Sequence, residues 1–250
     1  MRRQRVLTIY ALMMLALMVP TLVLLVIDSR TIGDVSVWAK PLKFMASTAL
    51  FSLSTAWFMG LLPHHTRVSP ANRKMVWTLI LTSLFEVTYI SFQAGSGSPS
   101  HYNVADSFHA AMFGLMAVAA ILLTATQAFL AWQLLKHAGE RPIPIFHRAV
   151  IAGLIMTFLL STVSGLMLGG HQPPPGMGLP LVGWHLSGGD LRPAHFLGVH
   201  AQQIIPLAGF ILQRHAPTRA GSGLLAMTVL SYTAIWLLLS NLGLSVQGGN

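Results

Sequence analysis

The chain has 250 residues, 54% of them hydrophobic and 8% charged, with a mean hydropathy of +0.65. Soluble domains carry about 25% charged residues, so a water-soluble fold is excluded and the bilayer is the expected solvent. The formal net charge of +9 forms no basic stripe or tail, which argues against nucleic acid. The absence of cysteine excludes disulfides, iron–sulfur clusters and c-type haem attachment.

Seven apolar runs follow in order, each near the ~20 residues a span requires: 6–27, 42–62, 75–93, 107–133, 149–169, 194–213 and 222–243. They predict an all-α, polytopic helical bundle of about seven transmembrane helices in one domain. The first run, VLTIYALMMLALMVPTLVLLVI, follows MRRQR. It is too long for a signal-peptide h-region and no A-x-A-like site follows, so it reads as a retained span.

Span two opens with WAKPLKF, which sets Lys40 and Lys43 at its start, Lys43 at a height comparable to Glu86 of span three and placed to pair with it. Span three carries Glu86 about 10 Å below its end at 1.5 Å per residue. A charge at that depth costs roughly 2.5–3.5 kcal/mol, so Glu86 should face the bundle interior, either as a functional acid or as a neutral carboxyl bonded to a neighbouring helix. His101 follows in the loop segment SPSHYN. In span four, Asp106 precedes His109 by three positions on one helical face, a spacing that orients an imidazole.

Span six begins in GGDLRPAHFLGVHAQQIIPL. Asp190 is placed to cap the helix, with Arg192 beside it at the rim. His195 lies just inside, and His200 is roughly 9 Å below the mouth, with Gln203 on its face. His195 and His200 are five residues apart, about 140° around the helix, and should address different neighbours.

The basic residues set the orientation. Eleven lie on the side of the N-terminus, before the first span or between spans, including Arg2, Arg3, Arg67, Arg73, Lys136, Arg141 and Arg214. Only Arg30, Lys40, Lys43 and Arg192 lie on the other. The positive-inside rule puts the N-terminus in the cytoplasm and the C-terminus outside, in an inner (plasma) membrane, with the functional face toward the periplasm or exterior. The outer connections also hold most of the Gly and Pro clusters and most of the acidic residues.

Three chemistries suit these residues. A redox protein would hold haem b between His109 and His200, or between His101 and His195, with a quinone or electron carrier at the outer face. A metal-dependent enzyme would use His109, His200 and Glu86 as ligands, leaving an open position, with Glu86 or Asp190 as the acid or base. A transporter or binding protein would draw a small anionic ligand to Lys40, Lys43 and Arg192. Retinal attachment is disfavoured because the last span has no lysine. Oligomeric state is not readable.

WAKPLKF, SHYN and GDLRPAHFLGVHAQQ together resemble segments of uncharacterised bacterial multi-pass membrane proteins. The resemblance implies a multi-pass fold and carries no activity with it.

Overall fold

The computed structural model describes residues 4–139, 143–176, 178–179, 182–216 and 218–245. Arg2, Arg3, Glu140 and Arg141 lie outside the described residues. In chain order the elements are α1 (Arg5–Ile27), a hairpin of β1 (Thr31–Ile32) and β2 (Val35–Ser36), α2 (Ala39–Met59), α3 (His64–Arg67), α4 (Pro70–Gly95), α5 (Ser107–Lys136), α6 (Ile145–Gly169), α7 (Arg192–His215) and α8 (Thr218–Leu244). Every apolar run has become a long helix. The one-turn α3 and the hairpin are additions that no apolar periodicity marks.

Six of these helices are long and apolar enough to cross a membrane. Helix α2, at 21 residues, falls outside that set; Lys40 and Lys43 open it, and Ser47, Thr48, Ser52, Ser54 and Thr55 dilute its apolar side chains. Those hydroxyls do not break the helix, since Ser54 and Thr55 donate to the carbonyls of Leu50 and Phe51 one turn back. The outward faces are aliphatic: Val26 is 83% exposed and Leu238 69%. Side chains of this kind are stable in such positions only against hydrocarbon.

Loops 28–38, 96–106 and 170–191 meet at one end of the bundle, here the distal end. Arg30 donates to the carbonyl of Gly95 at 3.0 Å, Tyr102 donates to that of Leu168 at 2.6 Å, and Lys43 donates to that of Val182 at 2.9 Å. The tight hairpin in the first loop turns on Gly33 and Asp34, both at positive φ, as a two-residue turn between twisted strands requires. The opposite, proximal end is filled by an apolar cluster of Leu7, Met14, Phe58, Met59, Leu79, Leu130 and Leu154 from five helices.

Helices α6 and α7 form the closest seam. Ala149, Gly153, Thr157, Ser161 and Gly165 recur every four residues on α6, and Gly198, Ala201 and Gly209 face them from α7. A Cβ at Gly198 would stand 2.7 Å from the backbone nitrogen of Ser161, and one at Gly209 would run into Ala149. Small residues let the two backbones approach, which is how helices associate where lipid offers no hydrophobic drive. Across this seam Thr157 accepts the backbone N–H of Gln202 at 2.8 Å. The seam fixes the rotation of α7 and therefore the directions of His195 and His200.

Candidate functional site

Two long helices begin at the distal end with basic residues in their first turns and no acidic ones. Helix α2 starts with Lys40 and Lys43 behind Trp38, whose side chain makes no capping bond. Helix α7 starts at Arg192 and Pro193. Cations there oppose the positive end of the helix dipole, so this end of the interior is electropositive beyond its formal charge.

Asp190 compensates only Arg192. It does not cap α7, whose N-cap is Leu191; the carboxylate sits one residue earlier and takes four donors. Arg192 Nε and Nη2 reach it at 2.8 and 2.7 Å, and the backbone N–H groups of Arg192 and His185 at 2.9 and 2.8 Å. Burial alone would raise the Asp190 carboxyl, but these bonds outweigh it and hold it below its ordinary value. Arg192 also donates to the carbonyl of Gly183, beside the Val182 carbonyl held by Lys43. Asp190, Arg192 and Lys43 thus fasten the 182–185 strand of loop across the distal mouth.

Lys40 is different. It is half-buried and takes part in none of the ion pairs among the described residues. It lies within electrostatic range of Glu86 on α4 and of His101 in the following loop. Glu86 is 8% exposed, and among the described residues its carboxyl has no hydrogen-bond partner. Below it Tyr10 is engaged with Ser83 at 2.8 Å.

His101 lies between the rings of Phe44 and Phe113, 6.2 and 6.0 Å away, and 3.1 Å from the Ser100 hydroxyl through Nδ1. Burial, then the charges of Lys40 and His195, push its pKa well below the ordinary histidine value, so the ring is neutral at pH 7. Its loop is pinned by Tyr102, which adopts positive φ and bonds the end of α6.

The two histidines of α7 diverge. His195 turns to α6, with Nδ1 3.2 Å from Ser164 Oγ and Gly165 leaving room for the ring. His200, 8% exposed, turns to α2, where Nε2 lies 3.4 Å from Ser47 Oγ. Its Nδ1 donates to Gln203 Oε1 at 3.3 Å, and Gln203 Nε2 donates to Ser54 Oγ at 3.2 Å. His195 also lies within electrostatic range of His101 and His200. The cluster that results is Lys40, Glu86, His101, His195 and His200, drawn from WAKPLKF, α4, SHYN and the start of α7.

His109 stands at the rim. Its Nδ1 pairs with Asp106 at 2.7 Å, while Asp106 Oδ1 caps α5 by accepting the His109 N–H at 2.9 Å. His109, His200 and Glu86 therefore have three different sets of partners. Among the described residues, no three His, Cys, Asp or Glu side chains gather closely enough to hold a metal ion. The residues not anticipated from sequence are the hydroxyls Ser47, Ser54, Ser100 and Ser164. Their only sequence signal was seven-residue spacing on α2 and placement on the small-residue face of α6. At the proximal end a cavity of about 160 Å³ is lined partly by His137 and His147.

Compared with protein-family models, with curated proteins and with solved structures, the chain matches none.

Proposed function

We propose that this is a seven-span protein of the inner (plasma) membrane whose outward, distal half holds a binding site for a small anionic ligand, in a transporter or receptor. The distribution of Lys and Arg supports the orientation, and α2 serves as the seventh span, buried enough among its neighbours to carry its hydroxyls. The observation that carries the function is Lys40: a half-buried cation with no ion-pair partner, at the positive end of α2, within electrostatic range of the His101 ring and of one deep carboxyl, Glu86. A cation retained in such a place is expensive and marks a ligand path. Lys43 and Arg192 add to the field at the mouth while their own hydrogen bonds secure the loop above it.

The test is calorimetric titration of detergent-purified protein with inorganic phosphate. Wild type should bind, and Lys40→Met should lose at least about 30-fold in affinity, the lower range for removing one partner of a buried charge pair. Equal binding by the two proteins, or none by wild type, contradicts the reading.

A second reading, haem or a metal ion in a redox or enzymatic role, draws on one observation: His101, His195 and His200 each have Nδ1 held by a nearby group, as metal-ligating histidines do. An absorbance spectrum with metal analysis decides it. A Soret band or bound metal lost in His101→Ala and His195→Ala supports this reading; a colourless, metal-free protein contradicts it.

A further inference from the structure

One line of side chains on α2 meets one on α7. On α2, Lys40, Ser47 and Ser54 recur every seven residues, two turns apart on one face. On α7, Arg192, Phe196, His200, Gln203, Phe210 and Arg214 are spaced by four, four, three, seven and four, again on one face. His200 Nε2 lies 3.4 Å from Ser47 Oγ, and Gln203 Nε2 donates to Ser54 Oγ at 3.2 Å. His200 and Gln203 are themselves linked at 3.3 Å. The result is a polar floor that descends from the distal mouth to halfway along α7. Below it Trp57 packs on Phe146 at 5.5 Å and Phe146 on Phe210 at 6.1 Å, and Arg214 lies over Phe210 at 4.2 Å.

The rims of this seam are apolar and open. Leu50 lies three residues from Ser47 and four from Ser54, on the same face, and is 45% exposed. Leu207 lies four residues from Gln203 and three from Phe210, and is 60% exposed. Aliphatic surface of this kind faces hydrocarbon, yet Ser47 and Gln203 beside it are only half-buried. An amide at that depth is costly against lipid tails alone and marks a substrate path. Helices that only need to associate do so as α6 and α7 do, through glycine and with backbones touching. Helices α2 and α7 instead meet through long polar side chains beside an open flank.

A groove with a polar floor, open apolar rims and cations toward both ends fits a molecule divided in the same way. Such a molecule has an anionic head and hydrocarbon chains, and a water-soluble anion has no use for the open flank. Lys40 stands on the line of the floor two turns above Ser47, and Arg214 ends the line of α7 at the proximal side. Basic residues between spanning helices draw anionic headgroups. From Arg192 to Arg214 is about 33 Å at 1.5 Å per residue, enough to cross the ~30 Å hydrocarbon core.

We propose that the α2–α7 seam binds the headgroup of an anionic phospholipid and carries it between leaflets, its acyl chains staying in the bilayer beside Leu50 and Leu207. This rests on the anion-binding reading above and names the anion, a phosphate that arrives on a lipid. The floor is interrupted only at the aromatic step of Trp57, Phe146 and Phe210, below which Arg214 receives the head.

The test is transbilayer movement in phosphatidylcholine liposomes that hold the intact purified protein and a trace of phosphatidylglycerol with a fluorophore on one chain. Dithionite added outside bleaches the outer leaflet, so bleaching that continues past it reports lipid arriving from the inner one. Wild type should bleach past that point, and protein-free vesicles should not. Gln203→Leu with Ser54→Val removes the polar floor and should slow the second phase at least about tenfold, what one hydrogen bond missing from a barrier is worth. Ser54→Val alone serves if the double variant fails to melt cooperatively. Ser231→Leu, at an exposed position of α8, should bleach like wild type. A phosphatidylcholine probe should move more slowly than phosphatidylglycerol, and Lys40→Met should remove that difference.

No bleaching beyond the outer leaflet in wild type, or equal slowing by Ser231→Leu, overturns the lipid path even where inorganic phosphate binds in calorimetry. Equal rates for the two probes in wild type overturn the anionic headgroup. Lipid movement in a protein that binds no inorganic phosphate supports the seam and removes the soluble-anion reading.

Discussion

The two ends of this bundle solve the problem of filling space between helices in opposite ways. The proximal half is packed with Leu7, Met14, Phe58, Met59, Leu79, Leu130 and Leu154, each at most 2% exposed. The distal half brings Lys40, Glu86, Asp190, His101, His195 and His200 inward from five segments. Polar contacts that merely join helices are worth about 0.6 kcal/mol each, and a chain needing only that glue would scatter them along its length. Buried polar side chains are in fact found in both halves, Asn72, Gln127 and Gln133 among the proximal ones, while Lys40, Glu86, His101, His195 and His200 gather distally; on the reading proposed above, the distal half is the site and the proximal half its scaffold.

The comparison can be broken by substitutions that separate stability from binding. In the scaffold, Leu154→Ala should cost about 2–5 kcal/mol of stability by opening a cavity, read as a lower thermal midpoint in detergent, with phosphate affinity unchanged. A loss of affinity without loss of stability would mean that the halves are not distinct. At the mouth, Asp190→Ala leaves Arg192 without its partner and should cost about 3 kcal/mol. It should also release the 182–185 segment, seen as faster proteolysis there; a melting curve like that of wild type would deny Asp190 its clamping role.

Acid should act on the distal half first. His101 is held below its ordinary pKa by burial, so once the pH drops under about 6.5 the unfolded chain binds a proton that the folded one refuses. Stability contributed there is complete above that value and falls on acidification, by at most about 1.4 kcal/mol per pH unit for this one group. His101→Phe should flatten part of that slope between pH 6.5 and 5, and an unaltered slope would show that the ring is not held neutral. Asp106 and Asp190, whose pKa values are lowered, lose their contribution only at lower pH, as they protonate. The smallest effect is expected of Ser47→Ala, about 1 kcal/mol for one long hydrogen bond to His200; a cost of several kcal/mol would place His200 in the scaffold.

Much of this architecture was legible in the sequence because lipid imposes few solutions: long apolar runs must be helices. The depth of Glu86 and His200 followed from helical rise, and the divergence of His195 and His200 from their five-residue separation. Which groups meet was not legible, because it depends on helix rotation. Height had offered Lys43 as a partner for Glu86, but Lys43 donates to the Val182 carbonyl, and His109, placed at the same depth, stays at the rim with Asp106. That rotation is fixed at the α6–α7 seam by Gly198, Gly209 and the four-residue ladder from Ala149 to Gly165, a pattern of small side chains that hydropathy does not weigh.

The most direct measurement is phosphate affinity in wild type, Lys40→Met and Leu154→Ala, by calorimetry at pH 7 with melting curves on the same samples. The account predicts that Lys40→Met binds at least about 30-fold more weakly while melting no lower than wild type, and that Leu154→Ala melts lower while binding equally well. Binding unchanged by loss of the Lys40 charge, or lost in proportion to stability in both variants, would contradict it.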